Sequence, residues 1–338
     1  MAEERTGVTG RQPGGGAAGG GAAALGRAVA EQVGRVIVGK ADQTRLVTVA
    51  LLAGGHVLVD DVPGVAKTLL VRTFAAALGL GFTRLQCTAD LLPSDVTGSS
   101  VFDQRSGDFT FRPGPVFTNV ILADEVNRAT PRTQSAFLEA MEEHSVTVDG
   151  STRRLPDPFL VLATQNPIEL KGTFPLPEAQ LDRFLLRVRM GYPSAAEETA
   201  MLDRFRTGDP LAEVEVVAAA ADLPAARAAV RQVHVAADVA AYVVAVARAT
   251  RETPLLRLGA SPRASLALQH AAQAWAALDG RDFVTPDDVQ RLAVPVLAHR
   301  VVLSRDAAVE RRDPDGIVRD VAGAVPVPAE AAAPDARD

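Results

Sequence analysis

His56-Val-Leu-Val-Asp-Asp-Val-Pro-Gly-Val-Ala-Lys67-Thr68 reads as a short apolar strand running into a loop built to wrap phosphate. Such a loop needs consecutive backbone N–H groups at a helix N-terminus, a compact cation for the outer phosphates and a hydroxyl for Mg²⁺. Gly64, Lys67 and Thr68 meet these needs, and Pro63, Val65, Ala66 and Leu69 complete the backbone that would enclose the phosphates. Against the pattern G-x-x-x-x-G-K-[ST], Asp61 and Ala66 stand where glycines are expected. Asp tolerates positive φ better than most residues. Position 66, entering the helix, is expected to have negative φ, which alanine accepts.

Cation usage adds weight to Lys67. The chain takes arginine for nearly all its positive charges and keeps lysine only at Lys40, Lys67 and Lys171. Lysine is a point charge suited to phosphate, whereas the planar guanidinium fork would crowd a loop folded around a triphosphate. A solvated lysine opening a helix is the plain alternative. It loses ground to a second motif, Val120-Ile-Leu-Ala-Asp124-Glu125, an apolar run ending in two carboxylates. Ligands of open α/β sheets bind at the carboxyl ends of strands, where Asp124 can hold Mg²⁺ through water and Glu125 can polarise an attacking water. Neighbouring carboxylates point apart on a regular strand, so both reach one site only where the strand is ending. The two motifs together predict ATP hydrolysis.

With 338 residues, 47% of them apolar, the chain has room for a large α/β domain and a smaller second one. A net charge of −6 argues against general nucleic-acid binding. The single cysteine, Cys87, excludes a disulfide framework within the chain and fits a reducing compartment and a buried, inert thiol. The polar start, Met1 to Arg11, does not resemble a signal peptide, and no run approaches ~18 uninterrupted apolar residues, so a cytoplasmic protein without membrane insertion is expected.

Residues 1–23 and 326–338, rich in Gly/Ala and Pro/Ala, are expected to be disordered. Helices are expected at Ala24 to Val36, Ala41 to Leu52 and Lys67 to Leu78, and strands at His56 to Val59, Phe82 to Gln86, Val120 to Ala123, Phe159 to Ala163 and Leu185 to Val188. This alternation predicts an α/β fold, a mostly parallel five-stranded sheet with helices on both faces, over residues 24–192. Val101 to Phe111 and Val146 to Arg153 read as hairpins turning at Ser106-Gly107 and Asp149-Gly150. From 193 to 325 helical patterns dominate, with Ser261-Pro262 and Thr285-Pro286 as starts, and a small all-helical lid is expected.

The order of these parts is similar to that of AAA+ ATPases. Four segments narrow the match: Leu91-Leu-Pro-Ser-Asp-Val-Thr-Gly98, Arg112-Pro-Gly-Pro-Val-Phe117, Ala123-Asp-Glu-Val-Asn-Arg-Ala129 and Gly172-Thr-Phe-Pro-Leu-Pro-Glu-Ala-Gln-Leu-Asp-Arg-Phe184 closely resemble the MoxR family. The resemblance extends from about Ala24 to Ser304. It implies that Asn166 is sensor 1, orienting water near the γ-phosphate; an Asx turn before Pro167 is the alternative. Arg183 matches the arginine finger that reaches a neighbouring subunit's ATP, and Arg263 matches sensor 2. Val38-Gly39 matches backbone that passes over the adenine. The resemblance further implies a homo-oligomeric ring, with a hexamer as the expected form, using ATP and Mg²⁺ to remodel or mature partner proteins, chaperone-like and alongside proteins with von Willebrand factor A domains. Two alternatives stay open: a nucleotide-gated scaffold with little turnover, and a chelatase-type motor subunit for metal insertion.

Overall fold

The computed structural model describes residues 18–60, 64–105, 107–165, 172–206, 208–218 and 220–328. Its centre is a five-stranded, all-parallel sheet of β1 (Val57–Asp60), β2 (Phe82–Gln86), β5 (Val120–Asp124), β8 (Leu160–Gln165) and β9 (Leu186–Val188), in the order β2-β5-β8-β1-β9. The three inner strands are almost wholly apolar and buried, as strands covered on both faces must be. Their side chains alternate between two cores. Val57, Val59, Val120, Leu122, Leu160 and Leu162 enter one, and Leu58, Ile121, Ala123, Val161 and Ala163 enter the other.

Three helices, α1 (Ala18–Val36), α2 (Ala41–Ala53) and α3 (Lys67–Ala77), contribute to the first core; α4 (Pro93–Thr97) and α5 (Pro131–Glu143) contribute to the second. Two antiparallel hairpins project from this body, β3 (Gly98–Asp103) with β4 (Asp108–Pro113) and β6 (Ser145–Val148) with β7 (Ser151–Arg154). The second turns through Asp149 and Gly150, both at positive φ, as its sequence foretold.

The remaining helices are α6 (Glu178–Leu181), α7 (Ala195–Arg204), α8 (Leu223–Arg231), α9 (Ala237–Glu252), α10 (Pro262–Leu278), α11 (Pro286–Leu297), α12 (Arg305–Val309) and α13 (Pro314–Ala324). The proline starts hold: Ser261 Oγ accepts from Ala264 N–H, and Thr285 forms a capping box with Asp288. Among the described residues helical structure dominates beyond residue 193, with one short antiparallel strand pair, β10 (Leu256–Leu258) and β11 (Val302–Leu303). The core does not break at that point. Buried residues of α9, α10, α11 and α13 join those of α1 to α3 in one hydrophobic cluster.

The first helix begins at Ala18 rather than Ala24. Ala22 and Ala23 are buried, and α10, whose inner face is mostly alanine, packs against α1. Close contact between small residues outweighs the poor helix propensity of glycine. The rest of both expected disordered tails, 1–17 and 329–338, lies outside the described residues.

Candidate active site

Strand β1 delivers the chain to a cavity of about 420 Å³ at the carboxyl ends of the sheet. Gly64, Val65, Ala66, Lys67, Thr68 and Leu69 line one side; Arg84, Gln86, Asp124, Glu125, Thr164 and Gln165 line the other. Helix α3 starts at Lys67, its N-cap residue Ala66 makes no side-chain cap, and the helix N-terminus faces the mouth of the cavity, where helix N-termini favour anions. Contrary to the sequence expectation, Ala66 has φ +59°, in the left-handed region. The bend into the helix demands the conformation glycine normally supplies, and alanine takes it at a cost of about 1 kcal/mol.

Asp124 ends β5, and Glu125 follows with φ +56°. This left-handed residue is what turns the second carboxylate into the same cavity, the strand ending that the paired acids require. Asp124 is buried and held twice: its Oδ2 accepts from Arg84 Nε at 2.7 Å and its Oδ1 from Thr164 Oγ1 at 3.2 Å. The Thr164 hydroxyl in turn accepts Glu125 N–H at 2.8 Å. Glu125 Oε2 lies 3.0 Å from Arg128 Nε and accepts from Gln86 Nε2 at 3.2 Å. Behind them Cys87 is buried, and burial, reinforced by the charges of Asp124 and Glu125, pushes its thiol up to about 12. It stays protonated and inert, as expected.

Arg183 and Arg263 lie elsewhere. Arg183 precedes β9, and Leu185, just ahead of that strand, donates its N–H to His56 C=O just ahead of β1, so Arg183 sits at the amino edge of the sheet. Both arginines converge on Glu142 near the end of α5: Arg183 Nε is 3.0 Å from Oε2 and Arg263 Nη1 3.0 Å from Oε1. The length of β1, on the order of 13 Å, separates this pair from the phosphate loop of its own chain. A second cavity, of about 310 Å³, opens beside them, walled also by His56, His144, His270 and Arg300. The His56 ring is fixed by its partners. Val161 N–H can only donate, so Nδ1 accepts at 3.1 Å and Nε2–H donates to Met141 C=O at 3.0 Å. Burial, the main cause, pushes His56 down to about 4.

Residues 56–186 match the model of the ATPase family associated with various cellular activities, and residues 248–321 match that of the AAA lid domain. The chain is 51% identical to YeaC of Bacillus subtilis (strain 168), with 91% of this chain and 96% of the relative covered. It is 42% identical to Chaperone MoxR1 of Mycobacterium tuberculosis, covering 92% and 84%, and 33% identical to Protein MoxR of Methylorubrum extorquens, covering 88% and 93%. The chain belongs to the MoxR family of AAA+ ATPases. A crystal structure from Cytophaga hutchinsonii, of a protein to which ATPase activity has been ascribed, superposes on this MoxR-family fold with a TM-score of 0.86 at 36% identity, covering 92% of this chain and 97% of the other.

Among the residues expected in a MoxR-family site, Gly64, Val65, Ala66, Lys67, Thr68, Leu69, Asp124 and Glu125 share the first cavity. Pro63 and Asn166 lie outside the described residues. Val38 and Gly39 do not line the cavity; Gly39, with φ +71°, abuts the Glu197 carboxylate, and Lys40 Nζ donates to Gly191 C=O at 3.2 Å. That segment therefore sits where the sheet domain meets the start of α7. Sequence reading missed Arg84, Gln86 and Thr164, which reach the acids only because β2 and β8 flank β5. Glu142, which pairs both outlying arginines, carried no motif either.

Proposed function

We propose that this chain hydrolyses ATP at the interfaces of a homo-oligomeric ring and spends that work on remodelling or maturing partner proteins. The observation that carries the reading is the separation of two half-sites. Phosphate loop and acids share a cavity at the carboxyl edge of the sheet, while Arg183 and Arg263 stand together at the amino edge. For Arg183 to complete the site it must then come from another copy, which makes assembly a condition of turnover. We also take residues 24–192 as the nucleotide-binding domain and 193–325 as the lid.

The donor set fits Mg²⁺ and ATP: the Thr68 hydroxyl, the buried Asp124 carboxylate and the N-terminus of α3 around one open cavity. Mg²⁺, when bound, neutralises charge on the β and γ phosphates. Lys67 adds a point charge at the same oxygens, and the α3 amides orient them. Glu125 accepts the proton of the attacking water, with Asn166 holding that water in line. Arg183 of the neighbouring copy meets the negative charge that develops at the γ-phosphate, and Arg263 links the lid to the same nucleotide. Val38 and Gly39 are assigned to the adenine side.

A chaperone role is supported by the relative named Chaperone MoxR1. Partners with von Willebrand factor A domains, a six-membered ring and a cytoplasmic setting belong to the same proposal; among the described residues no helix is long and apolar enough to cross a membrane. A second reading, a nucleotide-gated scaffold with little turnover, draws support from the ion pairs that hold both acids, Arg84 with Asp124 and Arg128 with Glu125. Turnover per subunit, measured across a wide range of protein concentration with Glu125→Gln as control, separates the two. A specific rate that climbs with concentration and vanishes in the variant is expected. Background rates at every concentration favour the scaffold.

A further inference from the structure

The two residues flanking Arg183 are gripped by the lid, and the main grip is a buried arginine. Arg300 stands in the short turn after α11, with its side chain 3% exposed. Its Nη2 donates to the carbonyls of Asp182, at 3.2 Å, and Phe184, at 2.6 Å; Nη1 donates to Val296 C=O at 3.0 Å. Its Nε lies 2.9 Å from Asp182 Oδ1, an ion-pair contact outside hydrogen-bond alignment. His299 Nε2–H donates to the same Phe184 carbonyl at 3.0 Å, and Ser261 Oγ at the head of α10 donates to Asp182 Oδ2 at 2.9 Å. Three lid side chains thus hold the carbonyls and carboxylate on either side of Arg183, while the Arg183 guanidinium itself turns to Glu142.

Burying a full cation is costly, and apolar packing would pin a loop at lower cost. What a guanidinium adds is direction: a rigid fork holds the carbonyls of Asp182, Phe184 and Val296 at set angles, with its charge beside the Asp182 carboxylate. That matters for a side chain whose value depends on reach, since a displacement of about 1 Å of a group in a reacting site costs on the order of 100-fold in rate.

We propose that Arg300 is a positioning residue that sets the reach of Arg183 into the neighbouring subunit's site, so that the lid turn following α11 controls whether the interface is catalytically complete. This rests on the reading of Arg183 as the arginine supplied in trans. Arg300→Lys keeps the charge and loses the fork; Asp182→Asn, nearly isosteric, guards against misfolding of the first variant. Each is purified as assembled full-length chain and compared with Arg183→Ala. Turnover is expected to fall at least 10-fold, while equilibrium binding of ADP at the variant's own phosphate loop stays within 2-fold of the parent. Mixing either variant with Glu125→Gln subunits is expected to recover activity, because each lesion lies on a different side of the shared site. Unchanged turnover in a folded variant, with Arg183→Ala inactive, overturns the proposal and leaves the interface reading standing. A loss that mixing with Glu125→Gln subunits does not recover, or that weakens ADP binding, marks a merely structural arginine and also overturns it. An active Arg183→Ala protein sinks the underlying reading, and the proposal with it.

Discussion

Two residues at the nucleotide cavity hold left-handed backbone without being glycine, Ala66 and Glu125, and strain of this kind collects where a fold must aim chemistry rather than satisfy propensity. For Ala66 the consequence is a narrow tolerance. Ala66→Gly should keep ADP affinity within a few fold, whereas Ala66→Val, whose branched Cβ is excluded from that region, should lose at least 10-fold in equilibrium binding. Equal affinities in all three proteins would mean that position 66 does not shape the loop. Thr164 is the other single-atom pivot, since its hydroxyl both receives Glu125 N–H and donates to Asp124. Thr164→Val preserves shape and orphans a half-buried amide, so unfolding free energy should drop by about 1–3 kcal/mol and turnover should fall with it. Thr164→Ser should restore most of both. A valine variant as stable and active as the parent would show that the hydroxyl aims nothing.

Elements came through the sequence unevenly, and the reasons are physical. Inner strands such as Val120–Asp124 are continuous apolar runs because both faces are covered, and the proline-capped helices declare their own first turns. The start of α1 did not, because its glycines and alanines are helical only against α10. Arg84 and Gln86 sit in a half-exposed edge strand and take their meaning from the neighbour that sheet order gives them. The φ of Ala66 does not follow from the sequence because α3 starts at Lys67, where it was expected, and the residue just before it takes the left-handed bend that brings the loop into the helix. His56 shows an element-level dependence that no motif announces: one neutral ring ties the start of β1 to β8 through Val161 and to α5 through Met141. With its folded value near 4 and an unfolded value near 6.5, the unfolded chain binds the extra proton between those limits, so stability is lost as pH falls through that window. About 2 kcal/mol should disappear from this residue between pH 7 and pH 5, and His299, also buried and held low mainly by burial, acts in the same direction. Denaturant unfolding at the two pH values should show a shallower loss for His56→Gln, whose amide can both accept from Val161 and donate to Met141. Parallel losses in variant and parent would remove His56 from the acid response.

At the scale of the whole molecule, the sheet separates the two groups of residues that the proposed hydrolysis needs. Its carboxyl edge holds the loop, the metal-side hydroxyl and both acids; its amino edge holds Arg183 and Arg263 against Glu142, wired to the lid through Asp182 and Phe184. The proposed ring of identical chains would bring such edges together, and the one core that runs from the sheet into the lid would then carry a change at one nucleotide to the next interface. The most direct measurement is ATP turnover of mixed assemblies of Arg183→Ala and Glu125→Gln subunits, each inactive alone. Recovery of part of the parental rate on mixing is expected, since an interface pairing an intact Glu125 with an intact Arg183 then forms. Absence of recovery, with co-assembly of the two variants demonstrated, contradicts the sharing of one active site between neighbouring chains.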